Sequence, residues 1–286
     1  MQTTEASAAG ALSLGGDFDV RRMGFGAMRL TGQGIWGAPA DREGARAVLR
    51  RAMDLGVNFI DTADAYGPGV SEELIAEALH PYPGGLVIAT KGGITRSGPG
   101  QWERDGRPEH LREACEGSLR RLRVERIDLY QLHAVDSKVP LEESLGALAE
   151  LHDEAKIAHV GLSNVRLDQL EAAREVVSIV SVQNRYSVTD RGSEEVLDAC
   201  ERDGLAFIPW FPLGAGRVGD ATGPIARIAD GHDATPFQVA LAWLLARSPA
   251  MLVIPGTSSV EHLEENVAAA SLRLSEEEFG QLSAIA

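Results

Sequence analysis

Lysine is nearly missing from this 286-residue chain. Its 27 basic residues include only three lysines, Lys91, Lys138 and Lys156; the rest are arginine. Each lysine therefore draws attention, because an ammonium with a tunable pKa does chemistry that a guanidinium does not. Cysteine is equally sparse. Cys115 and Cys200 fall in separate expected helices and read as reduced residues of a cytoplasmic protein, which excludes a disulfide framework and a thiolate metal site. No apolar run approaches the ~20 residues of a membrane helix, so no membrane span is expected. The opening MQTTEASAAG lacks a basic region and an apolar core, so residues 1–10 read as a flexible tail and not as a secretory signal. A basic excess is absent too. The net charge of −15 argues against nucleic acid and anionic membranes as partners.

What remains is the pattern of a globular protein, 44% hydrophobic, without short repeats or low-complexity linkers. Eight short apolar runs recur: MGFGAM (23–28), VNFID (57–61), LVIATK (86–91), IDLYQLH (127–133), HVGLSN (159–164), IVSVQN (179–184), LAFIPW (205–210) and MLVIPG (251–256). Helical patterns separate them. DREGARAVLRRAMDLG opens on an Asp cap and closes on Gly; SEELIAEAL is expected to be capped by Ser71; PEHLREACEGSLRRL begins with Pro. Apolar strands alternating with helices imply a parallel sheet covered on its faces, and eight such units over 11–286 match a single (β/α)₈ barrel, an α/β fold. An open doubly wound sheet is the alternative, but MGFGAMRLTGQG gives no clean dinucleotide fingerprint opening a helix. ALSLGGDFDV reads as a hairpin about Gly15-Gly16 that plugs the bottom of the barrel.

Barrel enzymes carry their chemistry at the C-terminal strand ends. Strand two ends in Asp61, with Tyr66 five residues on; strand three ends in Lys91 and strand four in His133. Ser163-Asn164, Gln183-Asn184, Trp210 and Pro255-Gly256 end strands five to eight. Taken singly, Asp61 is as ready to cap a turn as to do chemistry, Tyr66 to pack a loop, and His133 to be a satisfied structural histidine. Lys91 stands apart, since a buried ammonium needs a partner and Asp61 on the neighbouring strand supplies one. Together the four form a proton-donating apparatus. The ammonium favours the phenolate of Tyr66, the carboxylate holds the ammonium, and the imidazole positions a carbonyl. Ser163, Asn164 and Gln183 suit a nicotinamide carboxamide, Trp210 suits its ring, and Thr257, Ser258 and Ser259 open a helix that attracts an anion. SSVEHLEE also reads as a capping box, and the two roles are compatible.

GVNFIDTADAYG, VIATKGG, IDLYQLH, KIAHVGLSN, VQNRYS, FPLGAG and IPGTSSVEHLEEN occur in an order and spacing that resemble the aldo-keto reductase family over nearly the whole chain. The resemblance implies a barrel that binds NAD(P)H, with Asp61, Tyr66, Lys91 and His133 as catalytic tetrad and Tyr66 as general acid. It implies cofactor contacts from Gly26, Ala27, Met28, Asp61, Ser163, Asn164, Gln183, Trp210, Phe211, Pro212, Leu213, Gly214 and Gly216. The last segment adds Gly256, Thr257, Ser258, Ser259, His262, Glu265 and Asn266. Within the family, AMRLTGQGIWGAPADR, DAYGPGVSEELIAEAL and IPWFPLG look most like the bacterial pyridoxal reductases (pyridoxine 4-dehydrogenases). One departure concerns the cofactor. Members that grip NADPH strongly carry Lys and Arg where this chain has Gly256 and His262, so NADPH is expected with NADH use open.

Trp36, Trp102, Tyr66 and His133 are expected to line the substrate pocket, and the short ending after SEEEFGQLSAIA favours a small flat aldehyde. A general xenobiotic or sugar aldehyde reductase is a second reading. A cofactor-sensing regulatory barrel, similar to potassium-channel β-subunits, is a third. A monomer or weak homo-oligomer is expected.

Overall fold

The structure, a computed structural model, describes residues 5–212 and 223–285. Its first feature is the expected hairpin. Strands β1 (Ala11–Leu14) and β2 (Phe18–Arg21) pair antiparallel, with Leu14 opposite Phe18. The Gly15-Gly16 turn has positive φ at both residues, and a Cβ on Gly15 would strike the His159 ring at 2.3 Å. Glycine therefore lets the turn press against the sheet, where Asp17 meets His159 Nε2 at 2.6 Å.

Seven parallel strands follow in the described residues: β3 (Phe25–Gly26), β4 (Phe59–Asp61), β5 (Val87–Gly92), β8 (Ile127–Leu132), β9 (Ile157–Ser163), β10 (Ile179–Arg185) and β11 (Ala206–Trp210), neighbours in that order. Helices α1 (Arg42–Asp54), α2 (Val70–Leu79), α3 (Pro108–Leu122), α4 (Leu141–Asp153), α5 (Leu167–Arg174) and α6 (Glu194–Asp203) alternate with them. Next come α7 (Pro224–Gly231), α8 (Pro236–Arg247), α9 (Val260–Ala268) and α10 (Glu276–Ser283).

The expected eighth strand is present only as bridges. Met251 pairs with Phe207 and Val253 with Met23, which closes the sheet into a barrel. Leu252 N donates to Phe207 O and Val253 N to Arg22 O, both at 2.9 Å. The next donor on each ladder would be Pro209 on one side and Pro255 on the other. Neither has an N–H, so the ladder to β11 ends there and the ladder to β3 loses one bond before Gly26 N donates to Pro255 O at 3.4 Å; no regular strand extends to Gly256.

The pleat divides the core in two. Phe59, Val87, Ala89, Leu129, Ala206, Ile208, Leu252 and Ile254 face the barrel axis and pack with Leu14 and Val20 of the hairpin, the plug read from the sequence. The alternate residues, such as Ile60, Ile88 and Tyr130, face the helices. A fully buried residue such as Phe59 contributes about 1.5–3 kcal/mol by burial. Among the described residues no helix is long and apolar enough to cross a membrane.

Two local expectations are corrected, and one hairpin is added. Gly69, not Ser71, is the N-cap of α2; Ser71 lies inside the helix, and its hydroxyl accepts from Thr62 Oγ1 at 2.8 Å. The stretch after β5 forms a hairpin, β6 (Ile94–Gly98) with β7 (Gln101–Arg104), and it carries Trp102. At α9 Ser259 does cap, accepting from His262 N, but no reciprocal bond completes a capping box because N3 is His262 rather than Glu or Gln.

Candidate active site

Strand parity explains why chemistry gathers at one rim. Phe59, Ala89 and Leu129 point to the axis, so Asp61, Lys91, Gln131 and His133, two or four residues further on, point there too. Parallel register then sets their heights, Asp61 pairing with Ala89 and Lys91 with Gln131.

Lys91 is fully buried. Its Nζ donates to Asp61 Oδ2 at 2.7 Å, to Thr62 O at 2.8 Å and to Tyr66 Oη at 3.4 Å. Asp61 Oδ1 accepts from Gln183 Nε2 at 2.7 Å and from Gln131 Nε2 at 3.2 Å. Burial opposes the lysine's charge, yet Asp61 and Tyr66 outweigh it and leave the pKa above the ordinary value. The ammonium is thus held charged.

Tyr66 corrects the expectation of a phenol made more acidic overall. Burial dominates and raises its pKa above 10, while Lys91 pulls it down in part. The lysine limits a rise that would otherwise be larger. His133 moves the other way. Burial first, then the positive charges of Lys91 and Arg96, hold it well below 6.5, so the ring is neutral at pH 7. Its Nδ1 is buried without a hydrogen-bond partner among the described residues, and the ring stands edge-on to Tyr66 at 5.8 Å.

A cavity of about 350 Å³ opens above this group, lined by Gly26, Met28, Asp61, Tyr66, Gln183, Trp210, Phe211, Pro212 and Gly256 among others. A second adjoins it, sharing Met28, Tyr66, Gln183, Trp210 and Phe211 and adding Trp102, His133, Ser163 and Asn164. A third pocket holds Gly256, Thr257, His262, Glu265 and Asn266 at the start of α9. Ser258 lines a groove beside it with Met28 and Arg29. The structure thus brings most of the expected residues to one continuous rim.

Several expectations are revised. Ala27 is fully buried in the outer core and lines none of these cavities. Trp36 is also outside them, because it packs behind the Arg96 guanidinium, 5.7 Å away. Ser259 is spent as the cap of α9. Leu213, Gly214 and Gly216 lie outside the described residues. Asn164 Nδ2 is taken by His133 O and Ser163 Oγ, at 3.0 and 2.9 Å, and Gln183 Nε2 by Asp61. For a carboxamide these two side chains offer their oxygens, as acceptors.

The missing strand-end lysine has a steric cause. A Cβ on Gly256 would sit 2.6 Å from Gly26 O, and one on Gly26 would sit 2.7 Å from Ile254 O. Backbone approaches backbone here, and no side chain fits at either position without moving it.

The residues suit a nicotinamide cofactor. Trp210 presents an aromatic ring to the cavity, and its Nε1 is buried without a partner among the described residues. The N-terminus of α9, with Thr257, Ser258 and His262, suits a phosphate. Gln131 and Arg29 were not foreseen. Gln131 shares parity with His133, two residues on, and that signal sits inside IDLYQLH. Arg29 lines the cavity beside Gly256 and brings a cation to the edge that lacks Lys. Among the described residues, no cluster of His, Cys, Asp and Glu could hold a metal ion.

Residues 22–286 match the profile described as Aldo/keto reductase family. The chain is 50% identical over 278 residues to an uncharacterised oxidoreductase of Schizosaccharomyces pombe, covering 97% of this chain and 90% of that one. It is 45% identical over 276 residues to pyridoxine 4-dehydrogenase of Escherichia coli, covering 94% and 96%. A solved aldo-keto reductase of Klebsiella pneumoniae in complex with NADPH superposes with a TM-score of 0.82 at 30% identity, covering 96% of this chain and 94% of that one.

Proposed function

Since the chain belongs to the aldo/keto reductase family and is an NAD(P)H-dependent oxidoreductase acting on small carbonyl compounds, we propose that it reduces a small, flat aldehyde of the pyridoxal type to the alcohol, with NADPH as preferred cofactor and Tyr66 as proton donor. The observation that carries this reading is the buried ammonium of Lys91, hydrogen-bonded to both Asp61 and Tyr66 at the floor of the cavity.

Gly26, Trp210 and Phe211 would hold the nicotinamide end of the cofactor, Asn164 and Gln183 its carboxamide, and Thr257, Ser258 and His262 its far phosphate. The bound nicotinamide supplies the hydride. Tyr66 Oη gives its proton to the substrate oxygen as charge develops there. Lys91 Nζ, held by Asp61, steadies the phenolate left behind, and Gln131 and Gln183 fix Asp61 in turn. His133, neutral at the cavity wall, donates a hydrogen bond to the same oxygen without adding a charge that would compete with Lys91.

Two observations favour a flat substrate. Trp102 stands beside Tyr66 and His133, and Trp210 lines the same cavity. The 45% identity to pyridoxine 4-dehydrogenase adds pyridoxal to the first substrates to try. The test is a panel of aldehydes, with pyridoxal, benzaldehyde, propanal and an aldose among them, each followed by loss of nicotinamide absorbance with NADPH and with NADH. Turnover of pyridoxal above the others supports the proposal. Preference for the aldose or for propanal replaces it with the general-reductase reading, and no turnover by a protein that binds NADPH replaces it with a cofactor-sensing one.

A further inference from the structure

Arg96 lies in β6 and lines neither cavity at the rim. All five of its N–H groups are nevertheless committed. Nε donates to Gln101 O at 2.9 Å; Nη1 to Ile35 O at 3.0 Å and Ala65 O at 3.1 Å; Nη2 to Gly34 O at 3.1 Å and Gly98 O at 3.4 Å. Every acceptor is a backbone carbonyl, and among the described residues no carboxylate pairs with Arg96. A guanidinium usually serves a carboxylate or a phosphate. This one joins three stretches that are remote in sequence: the loop after β3, the turn before Tyr66, and the β6–β7 hairpin.

Two further observations make the joint a device rather than packing. Ile35 adopts φ +57, the left-handed region, where a β-branched residue is strained by about 1–3 kcal/mol and persists only if its surroundings hold it. Its carbonyl is held by Arg96 and by Gly67 N at 3.3 Å, the residue after Tyr66. The guanidinium also lies 3.6 Å from the centroid of Trp102, which stands roughly perpendicular to Tyr66 at 6.4 Å and to His133 at 6.5 Å. Trp102 is 39% exposed, so little else in the fold orients it.

We propose that Arg96 is a positioning residue for substrate choice. It clamps the indole of Trp102 into a fixed wall beside Tyr66 and His133, and that rigid wall selects planar aromatic or heteroaromatic aldehydes over flexible aliphatic ones. The inference rests on the reading of the cavity as a carbonyl-reducing site.

Arg96→Met keeps the stem length and removes all five donors. It should raise KM for benzaldehyde about tenfold, the worth of one lost stacking contact, with kcat moving by less than about threefold. The benzaldehyde-to-propanal ratio of kcat/KM should fall by the same factor. Trp102→Ala should lower that ratio equally, and the double variant should go no further, because the two residues act as one unit. Additive losses, or equal losses on both aldehydes, overturn the proposal. Arg96→Lys, which keeps a charge but only as a point, gives the same readout should the Met variant fail to fold. A second measurement needs no turnover. Acrylamide quenching of Trp102, taken as the difference between each protein and its Trp102→Phe partner, should rise when Arg96 is replaced; an unchanged value overturns the clamp. A wild type inactive on every aldehyde refutes the functional reading, while the quenching still decides the clamp.

Discussion

Replacing Lys91 by Met tests the core of the site. The side chain is fully buried and its ammonium serves three acceptors, so its loss strands Asp61 Oδ2 at 2.7 Å and Thr62 O at 2.8 Å without their donor. Removing one partner of a buried ion pair costs about 3–5 kcal/mol. Gln183 and Gln131 still hold Asp61 Oδ1, so the lower end of that range is expected. Adding Asp61→Asn should recover part of the loss, because it removes the charge left without a partner. Urea unfolding followed by far-UV circular dichroism measures both variants. The kinetic arm has a definite sign. Burial raises the Tyr66 pKa and Lys91 is the strongest influence lowering it, so the variant's phenol should titrate higher still. Alcohol oxidation needs the phenolate and increases with pH through that pKa; its inflection should therefore move to higher pH in Lys91→Met. Lys91→Arg should not restore it, since a planar fork cannot take the place of a point charge. The reasoning fails if Lys91→Met is as stable as the wild type, if Asp61→Asn adds to the damage, or if the inflection stays in place.

Three other predictions concern different parts of the molecule. Tyr66→Phe should keep NADPH binding, read by fluorescence titration, and lose reduction by roughly 10²–10⁴-fold, the range for a general acid; near-normal kcat would remove Tyr66 from that role. NADPH should bind more tightly than NADH by a factor on the order of 10–100, His262→Arg should widen the margin and Ser258→Asp should reverse it; equal titrations in the wild type would be evidence against it. Asp64 has a buried Oδ1 with no partner among the described residues, and burial followed by repulsion from Glu72 pushes its carboxyl up to about 8. The folded state therefore holds a proton that the unfolded chain releases near pH 4, so this stability is full below pH 4 and is lost as the pH rises through 8. Asp64→Asn should gain Tm over the wild type at pH 9 compared with pH 5, and a gap independent of pH would contradict the assignment.

Much of the site was legible because a parallel barrel converts strand ends into a rim. Asp61, Lys91 and His133 needed only the positions where apolar runs stop, Tyr66 follows five residues after one of them, and period two would have added Gln131. The two prolines that interrupt the eighth strand were equally visible, since a residue without N–H leaves a gap in a ladder. Loops carried no such rule. Trp36 and Trp102 look alike as rim tryptophans, and only the folded path puts one against the cavity and the other behind Arg96. The five carbonyls on Arg96 come from positions as far as 62 residues away, joined by backbone groups that carry no sequence signature.

The touching backbones of Gly26 and Gly256 restrict the evolutionary routes open to this chain. Each position already holds the smallest residue, so neither can be repaired by shrinking the other, and a lysine at 256 would demand that two segments separate first. Selection for a firmer hold on a phosphorylated cofactor would have to act elsewhere. Position 262, exposed on the first turn of α9, and position 29, already an arginine on the short 3-10 turn after β3, are the free variables. Cofactor preference in descendants of this sequence should drift through a helix and a short 3-10 turn, while the strand seam between them stays frozen.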